Sequence, residues 1–289
     1  MFARNALRAL AVVILLMMMT SAGASEASDS FLKVLTWNIQ VGSDAGVFPN
    51  GWTKRKAALR ALLPKQEGDV ICLQEPTKEQ LNFVAPLLPK HSFVGVGRDD
   101  GKEKGEFCPI FYDRTKLELV KSGTFWLSDT PDSSKNTWDL MYKRICTWAM
   151  LRAKAGGTEF CVFNTHFPLN PLARKKSADL VVKQIESICP SGTRIVVGDF
   201  NCEPGSDAWK CFENAGFHNA EALLTKQDSA TKLSPTYHVG GKPTVCIDAV
   251  FLSRGISAKS HRLINQAVDG IYPSDHFGTL VMIRLDDHS

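Results

Sequence analysis

The chain has 289 residues, of which 44% are hydrophobic and 22% charged, and a formal net charge of +4. That length supports one large or two small domains around a substantial buried core. The charge is small and spread without a basic block, which excludes a binder working by phosphate neutralisation alone and leaves charge silent about a nucleic-acid substrate.

In chain order, Arg4 and Arg8 precede an unbroken apolar run from Ala9 to Met19, and Ala22-Gly23-Ala24 follows. A basic start, a short apolar centre and an A-x-A end are the layout of a secretory signal peptide. Residues 1–24 are therefore expected to be removed, and the protein to be secreted or periplasmic. The run is too short to span a bilayer comfortably, so no transmembrane span is expected after cleavage; an uncleaved anchor is the alternative.

Leu32 to Ile39 reads as a strand, Trp52 to Leu63 as a helix stopped by Pro64, and Asp69 to Gln74 as a short buried strand. Thr77 with Gln80 makes a capping box that opens a helix ending near Pro89. Strands are expected at His91 to Val96, Pro109 to Tyr112, Trp148 to Ala153 and Glu159 to Thr165. Pro171 to Ile188 is the longest helical pattern, Arg194 to Val197 a buried strand, and Asp207 to Ala215 a short helix. Val245 to Leu252 and Thr279 to Leu285 close the chain as strands. The polar, aperiodic stretch Ser128 to Lys143 reads as a long surface loop, a place where function often resides. Short strands interleaved with fewer helices imply two packed sheets with helices outside, in one domain.

All eight cysteines follow the apolar run, and an even count in an exported protein invites disulfides. Cys202 and Cys211, close in sequence and flanking a turn, are the first pair to test. The competing reading has most cysteines buried and reduced as small apolar groups.

Several strand-like runs end in polar residues that an apolar run does not need. They are Asn38, Gln74-Glu75, Asn164-Thr165-His166, Gly198-Asp199-Phe200-Asn201, Asp248 after Cys246-Ile247, and Asp275-His276 after Pro273-Ser274. Binding and catalytic groups commonly lie where strands stop and loops begin, and six such ends can converge on one edge of a sandwich. Glu75, Asp199, Asp248 and Asp275 are hard oxygen donors, with Asn38 and Asn201 as neutral amides, a set that suits Mg²⁺ bridging to a phosphate. His166 and His276 offer acid–base groups near neutrality. No P-loop, G-x-S-x-G elbow or H-E-x-x-H helix is present, which removes support for serine-nucleophile and zinc-protease chemistry.

These six blocks, in this order, resemble the endonuclease/exonuclease/phosphatase superfamily over about residues 31–287. The runs Gly105 to Tyr112, Phe125 to Ser128 and Arg144 to Trp148 are similar to a bacterial-type subgroup of small hydrolases. The resemblance implies a DNase I-like α/β fold, a four-layer α/β/β/α sandwich with its site at one edge of the sheets. It implies a metal-dependent phosphoester hydrolase using Mg²⁺, with Mn²⁺ as a substitute. Glu75 is then the principal metal ligand, with Asn38 nearby and Asp275 assisting. Asp199 and Asn201 orient the attacking water and the scissile phosphate, while His276, oriented by Asp248, contacts the phosphate. His166 is a second acid–base or phosphate-contact residue.

Arg144 has two readings, a bidentate phosphate contact or a simple ion pair. His238, in Thr236-Tyr237-His238, is either a substrate contact or a packed loop residue. After His166 the subgroup often carries an Asp-His motif, whereas this chain has Phe167-Pro168-Leu169-Asn170, so substrate contacts from that loop should differ. The leading expectation is a secreted phosphodiesterase, with a nuclease as one form of it; the phosphoester substrate is nucleic acid, a nucleotide, a lipid headgroup or a sugar phosphate, and the sequence does not choose among them. The alternatives are a lipid-headgroup or sugar-phosphate hydrolase and a non-catalytic binding protein on the same fold. No obligate protein partner is expected.

Overall fold

Strand β1 (Phe31–Asn38) shows how the layers arise. Leu32 and Val34 face a cluster shared with a second sheet, while Leu35 and Trp37 face one built with helices. A strand buried on both faces reads as a near-continuous apolar run, which is why periodicity alone could not orient it. The structure, a computed structural model, describes residues 31–44, 50–138, 140–225 and 233–285. The expected signal segment, residues 1–24, lies outside the described residues.

One six-stranded sheet runs in the order β13 (Ser257–Ile264), β14 (Gly278–Arg284), β1, β2 (Val70–Gln74), β4 (Ile110–Asp113), β3 (His91–Val94). The other runs β5 (Leu117–Trp126), β6 (Ile145–Ala153), β7 (Glu159–His166), β8 (Thr193–Asp199), β12 (Asp248–Ser253), β9 (Phe217–Asn219). A separate hairpin pairs β10 (Tyr237–Val239) with β11 (Lys242–Val245). Helices α1 (Trp52–Leu62) and α2 (Lys78–Val84) cover the first sheet, where Leu59, Leu81 and Val84 share a cluster with Leu35, Ile71 and Phe111. Helices α3 (Pro171–Ile188) and α4 (Asp207–Asn214) cover the second, where Val181, Ile185 and Phe212 share one with Phe163, Val196 and Phe251. Between the sheets, Val34, Val70 and Val281 meet Val162, Ile195 and Val250. The fold is thus a four-layer α/β/β/α sandwich; a short helix, α5 (Ala220–Thr225), follows β9.

Strand direction puts the polar ends together. β1 is parallel to β2, and β7 to β8, so all four end on one edge. β14 is antiparallel to β1 and β12 to β8, so the residues that begin or precede them, Asp275-His276 and Asp248, reach that same edge. Gln74 and Asn164 tie the sheets there. Gln74 Nε2 donates to Asn164 Oδ1 (2.6 Å), and Asn164 Nδ2 donates to the Leu73 and Pro109 carbonyls (2.9 and 2.8 Å).

The capping box at Thr77 and Gln80 forms, and α1 passes into a 3₁₀ turn, Leu63–Gln66, at Pro64. Other expectations need correction. The run Val245 to Leu252 is two strands broken at Cys246-Ile247, because the chain leaves the hairpin and enters the second sheet there. β5 and β13 are not visible in the apolar pattern. Both are edge strands with several exposed residues, so neither shows a sustained buried face. The Cys202–Cys211 pairing is not formed. Cys211 on α4 turns its thiol toward Asp179 Oδ1 on α3 (3.1 Å), whereas Cys202 is buried beside Ser206. All eight cysteines are free, and seven are buried.

Candidate active site

The turn after β8 is held from beneath. Phe200 is buried among Phe167, Phe212 and Phe251, with ring centroids 5.1 to 5.3 Å away. This apolar anchor fixes its two polar neighbours at the surface of the sandwich. The Asn201 N–H donates to Asp199 Oδ1 (2.9 Å) and Asn201 Nδ2 donates to the Phe167 carbonyl (2.9 Å). Arg174 of α3 donates to the Asn201 carbonyl. Gly198 has φ +149°, and a Cβ there would lie 2.0 Å from the Thr165 carbonyl oxygen, so only glycine lets β8 lie this close to β7. Gln40, Glu75 and Asn201 are all left-handed (φ 59°, 70° and 50°), the kind of backbone strain that clusters at functional sites.

Asn38 sits at the centre of the edge. Its Nδ2 donates to Glu75 Oε1 (2.9 Å) and Asp199 Oδ2 (3.0 Å), while its Oδ1 accepts from the Gln40 N–H (2.9 Å). A backbone N–H can only donate, which fixes the amide this way round. The Asn38 oxygen thus keeps one lone pair beyond its bond to Gln40, while its nitrogen stands between two carboxylates. Glu75 Oε2 accepts from the Val41 N–H (2.7 Å). Buried Arg55 of α1 donates to the carbonyls of Ile39, Val41 and Pro273 (2.9, 2.8 and 3.0 Å), clamping the ends that carry Asn38 and Asp275. Ser274 Oγ donates to the Asn38 carbonyl (2.6 Å) and accepts from the His276 N–H (3.1 Å).

His276 Nδ1 donates to Asp248 Oδ2 (2.7 Å), and its Nε2 faces Asp199 Oδ2 at 3.7 Å. Burial alone would lower this imidazole's pKa, but Asp248 and Asp199 outweigh it and carry it up to about 10. His276 is therefore a cation at neutral pH. Burial pushes Asp199 the other way, above the usual carboxylate range, against the pull of His276. On the opposite side, His166 Nε2 lies 3.4 Å from the same Asp199 oxygen and its Nδ1 lies 2.9 Å from Arg144 Nη1. A guanidinium only donates, so Nδ1 accepts and the ring proton sits on Nε2. Burial, then Arg144 and Arg98, drive His166 well below its ordinary value. It is a neutral ring whose Nε2 proton lies on the Asp199 side.

A cleft of about 890 Å³ opens over these groups, lined by Glu75, Glu106, Arg144, His166, Asp199, Asn201, Asp275 and His276 among others. Asn38 and Asp248 lie beneath it as buried supports. Arg144 takes part, but through His166 and Glu106 (3.8 Å). His238 does not line the cleft. It is buried, its Nδ1 accepts from the Gly241 N–H (3.0 Å), and its ring stacks on Phe277 (4.2 Å). The next residue along explains why. Alternation in β10 sends Tyr237 to the cleft instead, edge-on to the His276 ring at 5.2 Å.

Reading the sequence also missed Glu106, Arg98, Arg55 and Arg174. Arg98 Nη1 pairs with Glu106 Oε2 (2.5 Å), and Glu106 is pushed up by burial and by Glu75. Glu106 stands in Gly105-Glu106-Phe107 just before β4, a polar residue beside an apolar run, as at the other site blocks. Arg55 and Arg174 act at long sequence separation, and Arg98 reaches Glu106 across a loop of eight residues, so none leaves a local pattern.

Asp199, Asp248 and His276 bring potential ligand atoms within 4.8 Å of one another. All three are buried and His276 is cationic with Nδ1 engaged, so this cluster suits a cation poorly. Glu75 and Asp275, on the cleft wall, suit it better. Burial, together with Glu75, pushes Asp275 up, a repulsion that a cation would relieve.

The same architecture occurs in solved proteins. An endonuclease/exonuclease/phosphatase from Bacteroides vulgatus superposes with a TM-score of 0.80 at 31% identity, over 89% of this chain and 100% of that one. A mannosyl-6-phosphatase from Bacteroides thetaiotaomicron gives 0.76 at 29% identity, over 87% and 99%. Among curated sequences, Nocturnin from Drosophila melanogaster is 27% identical over 203 residues, 60% of this chain; the chain spans only 29% of that protein's length. The model of the Endonuclease/Exonuclease/phosphatase family, whose members hydrolyse phosphoesters, matches residues 35–276, from β1 to the imidazole at the cleft, and the chain belongs to that family.

Proposed function

We propose that this chain is an exported, Mg²⁺-dependent phosphodiesterase. The observation that carries the reading is one cleft in which a carboxylate wall, Glu75 and Asp275, faces Asp199 and the cationic His276. Hard oxygen donors with room for water and phosphate fit Mg²⁺. Glu75 and Asp275 would hold it, and when bound it would supply positive charge to the scissile phosphate and leaving oxygen. Export rests on the pattern from Arg4 to Ala24.

The chain's own groups divide the remaining work. Asp199, raised by burial, is suited to accept a proton from the attacking water. The Asn201 N–H and Asn38 Nδ2 fix its two oxygens, so it meets the water in one orientation. His276 holds its proton against Asp248 and directs positive charge at the phosphate. His166 presents a neutral Nε2–H to the cleft, with Arg144 setting its tautomer. Asp248 never meets substrate; it keeps His276 charged and aimed.

Purified protein should hydrolyse bis-p-nitrophenyl phosphate and DNA in Mg²⁺ and stop in EDTA. Glu75→Gln should weaken Mg²⁺ in calorimetric titration by about tenfold or more. Activity untouched by EDTA, or by both Glu75→Gln and His276→Gln, would end the proposal. The likeness to a mannosyl-6-phosphatase supports a second reading, a sugar-phosphate monoesterase, and glycerol and sugar phosphates in the same assay separate the two.

A further inference from the structure

Beside the catalytic cleft lies a second cavity of about 410 Å³ that the phosphate chemistry does not use. The two are continuous, because Tyr142, Arg144 and Leu169 line both. Its walls differ in kind. Trp138 and Tyr142 supply aromatic faces, and Leu169 and Leu172 supply aliphatic ones. Among the described residues eight large hydrophobic side chains are exposed, and four of them, Met141, Tyr142, Leu169 and Leu172, line this cavity. Exposed apolar groups gathered at one concavity mark a binding site more often than chance surface.

The aromatic wall is held in place from behind. Trp138 Nε1 donates to Asp129 Oδ1 (2.7 Å), and the Arg98 guanidinium lies 5.0 Å from the Tyr142 ring. Lys176 Nζ stands 5.6 Å from the Trp138 ring, and with Arg144 it gives the cavity two cations. No carboxylate occurs among its described lining residues. The catalytic cleft, by contrast, is rich in carboxylates. The aliphatic side comes from Phe167-Pro168-Leu169-Asn170, the loop where the sequence departs from its subgroup, and from the first turn of α3.

We infer that this cavity binds the base of a nucleoside phosphate whose phosphate occupies the cleft, which makes a nucleotide the substrate class. The inference rests on the phosphoesterase reading for the placement of the phosphate. A planar base stacks on aromatic rings and on leucine. A second anionic group, or the base carbonyls, meets Lys176 and Arg144. A bare sugar phosphate leaves the apolar walls wet, and an acyl chain gains nothing from the cations.

Calorimetry of the full protein with adenosine 5′-monophosphate and with ribose 5-phosphate compares the same phosphate with and without the base, independently of turnover. The nucleotide should bind roughly tenfold or more tightly. Leu172→Ala, a change at a position 77% exposed that leaves the core intact, and Trp138→Ala should each erase most of that ratio. Equal affinities, an unchanged ratio in both variants, or tighter binding of octyl phosphate than of the nucleotide would overturn the inference. A protein that prefers the nucleotide in calorimetry yet hydrolyses no phosphoester would support the subsite and overturn the enzymatic reading alone.

Discussion

His276 and His166 stand 3.7 and 3.4 Å from the same Asp199 oxygen, both buried, yet their charge states are opposite. The difference comes from what lies behind each ring. Asp248 accepts from His276, so the second proton stays, while Arg144 donates to His166, so no second proton can enter. One chemical group thus becomes a cation on the β14 side and a neutral ring on the β7 side. The partners that decide this come from β12 and from just before β6, far from either histidine in sequence. Burial works on them unequally: it disfavours the charged form of both rings, so it reinforces the neutral His166 and opposes the His276 cation, which Asp248 and Asp199 restore.

The sharpest way to break the comparison is His276→Gln, which should lower kcat by roughly 10³-fold, since both charge and proton are lost. His166→Gln keeps a neutral donor and should cost much less; equal losses in bis-p-nitrophenyl phosphate turnover would contradict the division of roles. Phe200→Ala removes the support under the aspartate that both rings share, and should cost about 3–5 kcal/mol in urea denaturation. Arg144→Met should reduce turnover by about tenfold and let the His166 resonance titrate closer to its ordinary value. Observation by NMR that His166 already titrates near 6.5 in the unmodified protein would sink the claim that burial and Arg144 hold this ring neutral.

Stability should also divide with pH. The raised pKa of His276 stabilises the fold fully below the unfolded value of about 6.5, and this is lost as pH rises toward about 10. The lowered pKa of His166 works in the opposite sense, costing stability as pH falls below about 6.5. The difference in stability between the unmodified protein and His276→Gln should therefore shrink from pH 7 to pH 10. The smallest effect is expected from His238→Phe, at a hairpin residue whose ring stacks on Phe277 and does not line the cleft; kcat should stay within about threefold.

Much of this candidate site was legible because its polar groups sit where apolar strands stop. Asp199 follows Ile195-Val196-Val197, and Glu75 follows Val70 to Leu73, so the end of each apolar run marked a residue the core did not require. Asp248 stood out for the opposite reason, as a carboxylate leading into a buried strand. His238 and Tyr237 show the limit. Which of two adjacent residues faces the cleft depends on the phase of a three-residue strand, and no apolar pattern in so short a strand sets that phase.

The sequence by itself determined the elements whose two faces are buried, the capped helices, and the order of six polar strand ends, because these follow from local hydrophobicity and backbone chemistry. The tertiary structure alone decided which charge each histidine carries, that Asn38 turns its nitrogen to the carboxylates, and that an aromatic-walled cavity joins the cleft. Those properties depend on distances between segments remote in the chain, and electrostatic and packing energies are set by distance in space.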